Sequence, residues 1–332
     1  MIIIIFYIIP YNRAGYDCMN LSVTNILFYK NYPHSNSVWK QSGLIYYIDE
    51  KYGIGNLEGS YLTRVQELEW IHNIKVKTIK HKYKNDFLSG IINLLRENEP
   101  VLVPVDTYYT RGNMYYQTRH TPHIITIIGY EESLFTYVDD AYGSIAELKP
   151  KELIEANSMN LKYMYIKLPE ENYLTKEILL EPIKHNNNNL RGIISTSNIP
   201  DVPGVIKEFG LSGLEKFLDF YYEHNIDDTF NQSEEKIMEI YRGLSAVSNS
   251  RYKYADYLFD ISVYYPEIKN IAEAYLFIGQ DWKVSANMVL KSTMNNRLNL
   301  IQRMLDKVEL IMEKEKETLR MSEEIHSIIC NK

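Results

Sequence analysis

Cysteine is almost missing from this chain: among 332 residues only Cys18 and Cys330 carry thiols, one near each end. That excludes a disulfide framework, a thiolate zinc cage and an iron–sulfur site. Glycine-rich phosphate loops are missing too. No G-x-G-x-x-G or G-x-x-x-x-G-K-[ST] run occurs, and Gly53-Ile54-Gly55 is too short to serve as one, so no nucleotide site is expected. Histidine and acid nowhere show metal-ligand spacing, so neither a metal nor a bound cofactor is expected. There is no surplus of positive charge: 36 Lys and Arg against 43 Asp and Glu leave a net charge of -7. Nothing general therefore attracts nucleic acid or an anionic membrane. Long hydrophobic runs are also scarce. Met1 to Ile9 is apolar, but a membrane-spanning helix needs about 20 such residues, and the run lacks the basic start of an export signal. It predicts a buried β-strand, and the cytoplasm, where a free thiol is stable, is the expected compartment.

What is present is core-forming material: 45% of the residues are hydrophobic, enough for one or two domains. The 29 tyrosines read as compositional bias. Cys18 to Tyr29 carries Met19, Val23, Ile26 and Leu27 at helical spacing, predicting a helix with one buried face. Ser35 to Tyr52 and Leu62 to Asn73 read as further helices, Val76 to Ile79 as a short strand, and Asp86 to Arg96 as an amphipathic helix stopped by Asn98 and Pro100. Val101 to Val105 and His123 to Tyr130 then read as strands, Leu134 to Val138 as the hairpin partner of the second, and Tyr163 to Leu168 as the last strand. This is an α+β layout with an antiparallel sheet, assigned to residues 1–175. Residues 176–205 hold Pro182, the run Asn186 to Asn189, Pro200 and Pro203, and read as a linker or flexible loop. Residues 206–332 read as an all-helical domain of four to six helices.

Cys18 follows Gly15-Tyr16-Asp17 and opens a helix, where unpaired N–H groups and the helix dipole favour thiolate over thiol. A nucleophile needs a base. Of eight histidines, His123 opens the strongest strand, and Asp139 closes the hairpin partner 16 residues later, within reach of the far ring nitrogen. Asp140 is a competing acid one residue along, pointed away by strand alternation, and His120 is a competing base in the preceding loop. For an oxyanion, the backbone N–H of Cys18 is one donor and the side chain of Asn12 a second, unless Asn12 only caps the turn after Pro10. Asp106, Tyr108 and Tyr109 leave a strand toward the same loop and are candidates, with Asp17, for a substrate pocket, an anionic Asp106 suiting a cationic amine.

Cysteine at a helix start, histidine opening a strand and aspartate closing the next is the chain order of papain-like enzymes. More narrowly, GYDCMNLSVTNILFY, VPVDTYY and HTPHIITIIGYEESLFTYVDDAYG resemble the N-terminal domain of the butirosin biosynthesis protein H family, over about residues 1–170. The resemblance implies a papain-like, C39-like fold joined to a helical domain. It also implies a cysteine-dependent acyltransferase of secondary metabolism that moves an acyl or aminoacyl group from an acyl carrier protein thioester to a small-molecule amine. Cys18, His123 and Asp139 match its nucleophile, base and orienting acid. Two positions depart: Asn12 stands where papain-like enzymes commonly have glutamine, and Asp17 where the family often has histidine. Arg251 to Leu258 and Asp281-Trp282 look like recurrent features of the helical part, for packing or substrate contact. The donor is expected to be a phosphopantetheine thioester, and a homo-oligomer is possible. A cysteine peptidase or amidase with the same triad, and an inactive scaffold, are the alternatives.

Overall fold

The computed structural model describes residues 4–49, 51–157, 160–170, 174–194, 207–224, 234–295 and 299–331. Its strands are β1 (Ile4–Ile5), β2 (Ile45–Asp49), β3 (Ile54–Glu58), β4 (Lys75–Lys80), β5 (Val101–Asp106), β6 (Pro122–Glu131), β7 (Leu134–Asp139), β8 (Ser144–Leu148), β9 (Lys162–Lys167) and β10 (Lys207–Phe209). Its helices are α1 (Cys18–Tyr29), α2 (Arg64–Glu69), α3 (Lys84–Arg96), α4 (Pro150–Ala156), α5 (Glu181–Leu190), α6 (Gly210–Glu223), α7 (Glu234–Ile261), α8 (Lys269–Asn295) and α9 (Asn299–Cys330). The fold is α+β, with antiparallel sheets and a helical C-terminal region. No helix among the described residues is long and apolar enough to cross a membrane.

Contacts divide the chain into two units that are not contiguous in sequence: the described residues within 1–35 and 72–172, and those within 36–71 and 173–332. This differs from a boundary near residue 175, because residues 36–71 leave the first unit and contribute to the second.

The first unit is built on a seven-stranded sheet in the order β4-β9-β5-β6-β7-β8, with β1 also pairing β6, every pair antiparallel. β6 and β7 form the hairpin expected of them. Glu132 and Ser133 at its tip both take positive φ, +48° and +66°, as a two-residue turn matched to strand twist requires. In α3, Phe87, Ile91 and Leu95 lie one turn apart and are fully buried with Val101, Val103, Ile125 and Ile127 of the sheet. Burial stabilises by about 1.5–3 kcal/mol for each such side chain. The N-terminal run is less of a strand than its composition predicts. Among its described residues, Ile4–Ile5 alone pairs as strand; Phe6 and Ile8 are buried, while Tyr7 is 89% exposed. Residues 1–3 lie outside the described residues.

The second unit joins a three-stranded sheet, β10-β2-β3, to helices that share its core. Ser35 to Tyr52 is therefore not helical: a single 3-10 turn at Ser35–Ser37 precedes β2. Leu62 to Asn73 is helical only over α2. Nor is 176–194 a loop. A 3-10 turn at Ile178–Leu180 leads into α5, with Pro182 in the first turn, where its missing N–H costs no hydrogen bond. Asn186, Asn187 and Asn189 are buried, and the amide of Asn186 satisfies backbone groups that no strand pairs. Asn186 Nδ2 donates to the Lys40 carbonyl at 2.8 Å, and Asn186 Oδ1 accepts from Ser42 N–H at 2.9 Å and from Tyr61 Oη–H at 2.6 Å. Residues 195–206 lie outside the described residues.

α7 and α8 run long and unbroken, and Ser248 Oγ of α7 donates to the Gly279 carbonyl of α8 at 2.8 Å, tying the two helices at their small residues. Arg251 and Trp282 are core residues of this unit: Arg251 Nε and Trp282 Nε1 donate to Glu315 Oε1 at 2.8 and 3.1 Å. Asp281 lies outside that cluster, ion-paired with Lys307 and Lys314.

Candidate active site

Cys18 is the first residue of α1, and local chemistry puts it there. Gly15 takes φ +81°, a left-handed conformation open to glycine, and turns the chain so that Asp17 becomes the N-cap. Asp17 Oδ1 accepts from Asn20 N–H at 2.9 Å, and Asn20 Oδ1 accepts in return from Asp17 N–H at 3.4 Å. The N–H groups of Cys18 and Met19 then remain at the open helix end beside the half-buried thiol. Asp17 is thus a capping residue, its Oδ1 turned to the helix backbone. Beyond it α1 is buried continuously from Met19 to Leu27, not on one face alone.

His123 is buried and pairs with Val105 across the β5–β6 ladder. Continuing the Thr126–Val138 register sets Asp139 opposite Ile125, two residues from His123 and hence on the same face. The side chains meet: Nε2 of His123 lies 2.9 Å from Asp139 Oδ1. Asp139 is itself held. Asn113 Nδ2 donates to its Oδ2 at 3.2 Å and the Tyr142 N–H to its Oδ1 at 3.3 Å. Burial acts to lower the His123 pKa, but hydrogen bonds to Asp139 and to Cys18, with the negative charge of both, raise it to about 9. With Nε2 given to Asp139, Nδ1 is the nitrogen left for the thiol. Cys18, His123 and Asp139 are therefore brought together.

The competitors are placed elsewhere. Asp140 is buried and its Oδ1 accepts from Tyr11 N–H at 2.9 Å and Asn25 Nδ2 at 2.7 Å, while the same Asn25 amide reaches the Ile9 carbonyl at 2.8 Å. This acid tethers α1 and the preceding loop to the end of β7. Burial raises its pKa against the hydrogen bonds from Tyr11, Asn25 and Ser22. His120 bonds a different acid, its Nδ1 lying 2.7 Å from Asp106 Oδ2. Asp106 pairs with Pro122, so its side chain leaves the sheet on the face opposite His123. Burial acts to raise the Asp106 carboxyl, but hydrogen bonds from His120, Tyr108 and Thr121 hold it below its usual value. Tyr108 stacks on His120 with centroids 4.2 Å apart, and Tyr109 is tilted against the same ring at 5.9 Å. Asp106, Tyr108 and Tyr109 thus form a cluster with His120. Asn12 is exposed in the loop before α1 and makes no hydrogen bond among the described residues.

Asn113, Tyr142 and Tyr115 are functional neighbours that sequence reasoning missed. The Tyr142 ring lies 5.4 Å from that of His123, and Tyr115 meets Tyr142 edge-on at 6.2 Å. They sit in polar loops with no periodicity, and the one available signal was nearness in sequence to the two strand ends. Among the described residues no group of three or more His, Cys, Asp or Glu is placed to hold a metal. The arrangement has the parts for nucleophilic chemistry: a thiol at a helix N-terminus, an imidazole and an orienting carboxylate. No protein-family model matches the chain, and a search of curated proteins returns no match.

Proposed function

We propose that this protein is a cysteine-dependent acyltransferase with a papain-like catalytic unit, moving an acyl or aminoacyl group from a carrier-protein thioester to an amine, as its resemblance to the butirosin biosynthesis protein H family implies. The observation that carries the reading is the buried His123–Asp139 pair at 2.9 Å with Cys18 coupled to the same imidazole. Below about pH 9 His123 is an imidazolium beside Cys18, the charge that favours thiolate. The thiolate attacks the thioester carbonyl, the helix-start N–H groups receive the oxyanion, and collapse expels the donor thiol, which takes the His123 proton. Acylation removes the anion that helped hold His123 protonated, so burial is less opposed and the ring is free to act as base. It takes a proton from the incoming amine as the amine displaces Cys18, which leaves as thiolate.

The test is incubation with acyl carrier protein and acyl-N-acetylcysteamine thioesters, read by intact mass. A mass gain equal to the acyl group, absent from Cys18→Ala, supports the reading, and added amines then separate transfer from hydrolysis, which a peptidase or amidase would show. No adduct, together with alkylation of Cys18 by iodoacetamide no faster than that of Cys330, would leave an inactive scaffold as the better account.

A further inference from the structure

A chain of ring contacts leads from the His123 imidazole to an arginine. Tyr142 lies 5.4 Å from His123 with planes at 57°, Tyr115 stands edge-on to Tyr142 at 6.2 Å, and the Arg119 guanidinium lies 5.7 Å over the Tyr115 ring. The platform is anchored at both ends. The Tyr142 N–H is bonded to Asp139, the Arg119 N–H donates to the Tyr115 carbonyl at 3.1 Å, and the Arg119 carbonyl accepts from Thr107 Oγ1 at 3.0 Å. The guanidinium is exposed and has no carboxylate partner among the described residues, although the protein as a whole is acidic. Burial and then Tyr115, Asp139 and Cys18 act to raise the Tyr142 hydroxyl pKa, and Arg119 opposes them. One hydroxyl is thus within electrostatic reach of both the thiol and the guanidinium. A guanidinium fixed over a ring face and lacking an acid keeps its planar fork of donors available for phosphate or carboxylate.

We propose that Arg119, presented by Tyr115 and Tyr142, is an anion-recognition point of the catalytic site, and that the acyl donor carries a phosphate or carboxylate away from its reacting carbonyl. The aromatic faces bear on the arm between the two. This rests on the reading of Cys18 as the nucleophile.

Methanethiosulfonate reagents test it on the full chain. Cys18 thiolate attacks the sulfenyl sulfur, a mixed disulfide forms and methanesulfinate leaves, and the transferred group is sulfonatoethyl (anionic), trimethylammonioethyl (cationic) or methyl (neutral). Rates at Cys18 are read by peptide mapping, with Cys330 as internal reference, and normalised to the neutral reagent in each variant. The expected result is an anionic-to-cationic rate ratio that falls about fivefold in Arg119→Gln, an effect that weakens with added salt, and is kept in Arg119→Lys. An unchanged ratio in Arg119→Gln overturns the proposal and leaves the nucleophile standing. If the neutral reagent modifies Cys18 no faster than Cys330, the nucleophile reading falls, and this proposal falls with it.

Discussion

His123 gives Nε2 to Asp139 at 2.9 Å, with Asn113 and the Tyr142 N–H closing on the same carboxylate, so one ring nitrogen is committed and the other is left to face Cys18. A ring held in this way keeps one tautomer and one orientation, as proton transfer from a thiol requires.

Asp139→Asn keeps the shape of this contact and removes its charge. The imidazolium loses its main support, and the His123 pKa should move down from about 9. Loss of about one pKa unit corresponds to roughly a tenfold fall in the imidazolium-to-imidazole ratio at a given pH. NMR titration of the His123 ring protons from pH 6 to 10 measures it, and an unaltered profile would show that Asp139 does not set the state of His123.

Stability should depend on the same group. The His123 pKa rises from an ordinary 6.5 to about 9 on folding, so the folded state holds the proton more tightly. The contribution is fully present below pH 6.5 and is lost as pH rises through 9, with an upper bound of about 3 kcal/mol. Urea midpoints of the wild type should fall between pH 6.5 and 9.5 by more than those of His123→Ala, and equal falls would refute the linkage.

Asn186→Ala should destabilise the second unit by about 2–4 kcal/mol, because it orphans the Lys40 carbonyl and the Ser42 N–H in a buried site and removes a partner of Tyr61. Denaturant unfolding gives the number. A cost below about 0.5 kcal/mol would mean that water replaces the amide and that the α5 asparagines are not structural.

Arg251 and Glu315 are both fully buried and lie 2.8 Å apart. Arg251→Met alone should cost about 3–5 kcal/mol by leaving an unpaired buried carboxylate, while Arg251→Met with Glu315→Leu should recover much of that. Calorimetry of the two variants decides it; a double variant as unstable as the single one would point to lost packing instead of lost charge balance.

Legibility followed distance along the chain. The helix start at Cys18, the helical stripe of Phe87, Ile91 and Leu95, and the β6–β7 hairpin depend on neighbours a few residues away, and all were readable. The pairing of His123 with Asp139 was readable for the same reason, since a tight hairpin fixes which positions share a face. The strand pair β2–β3 was not. The residues of β2 read as helical, those of β3 carried no strand signal, and a third strand, β10, from near residue 208 completes the sheet. Asn186 read as loop because polarity shows only that a residue must be satisfied, not that carbonyl and N–H groups some 145 positions away will satisfy it.

By itself, then, the sequence determined the α+β and helical halves of the chain, the helix-start position of Cys18 and the hairpin that joins a histidine to an acid, because each follows from periodicity, capping or a short turn. Tertiary structure alone decided that residues 36–71 join the C-terminal unit, that Asp106 turns to His120, and that Tyr142, Tyr115 and Arg119 extend from His123. Those outcomes turn on which side chains meet across long separations, where the chain's local preferences carry no information about the partner.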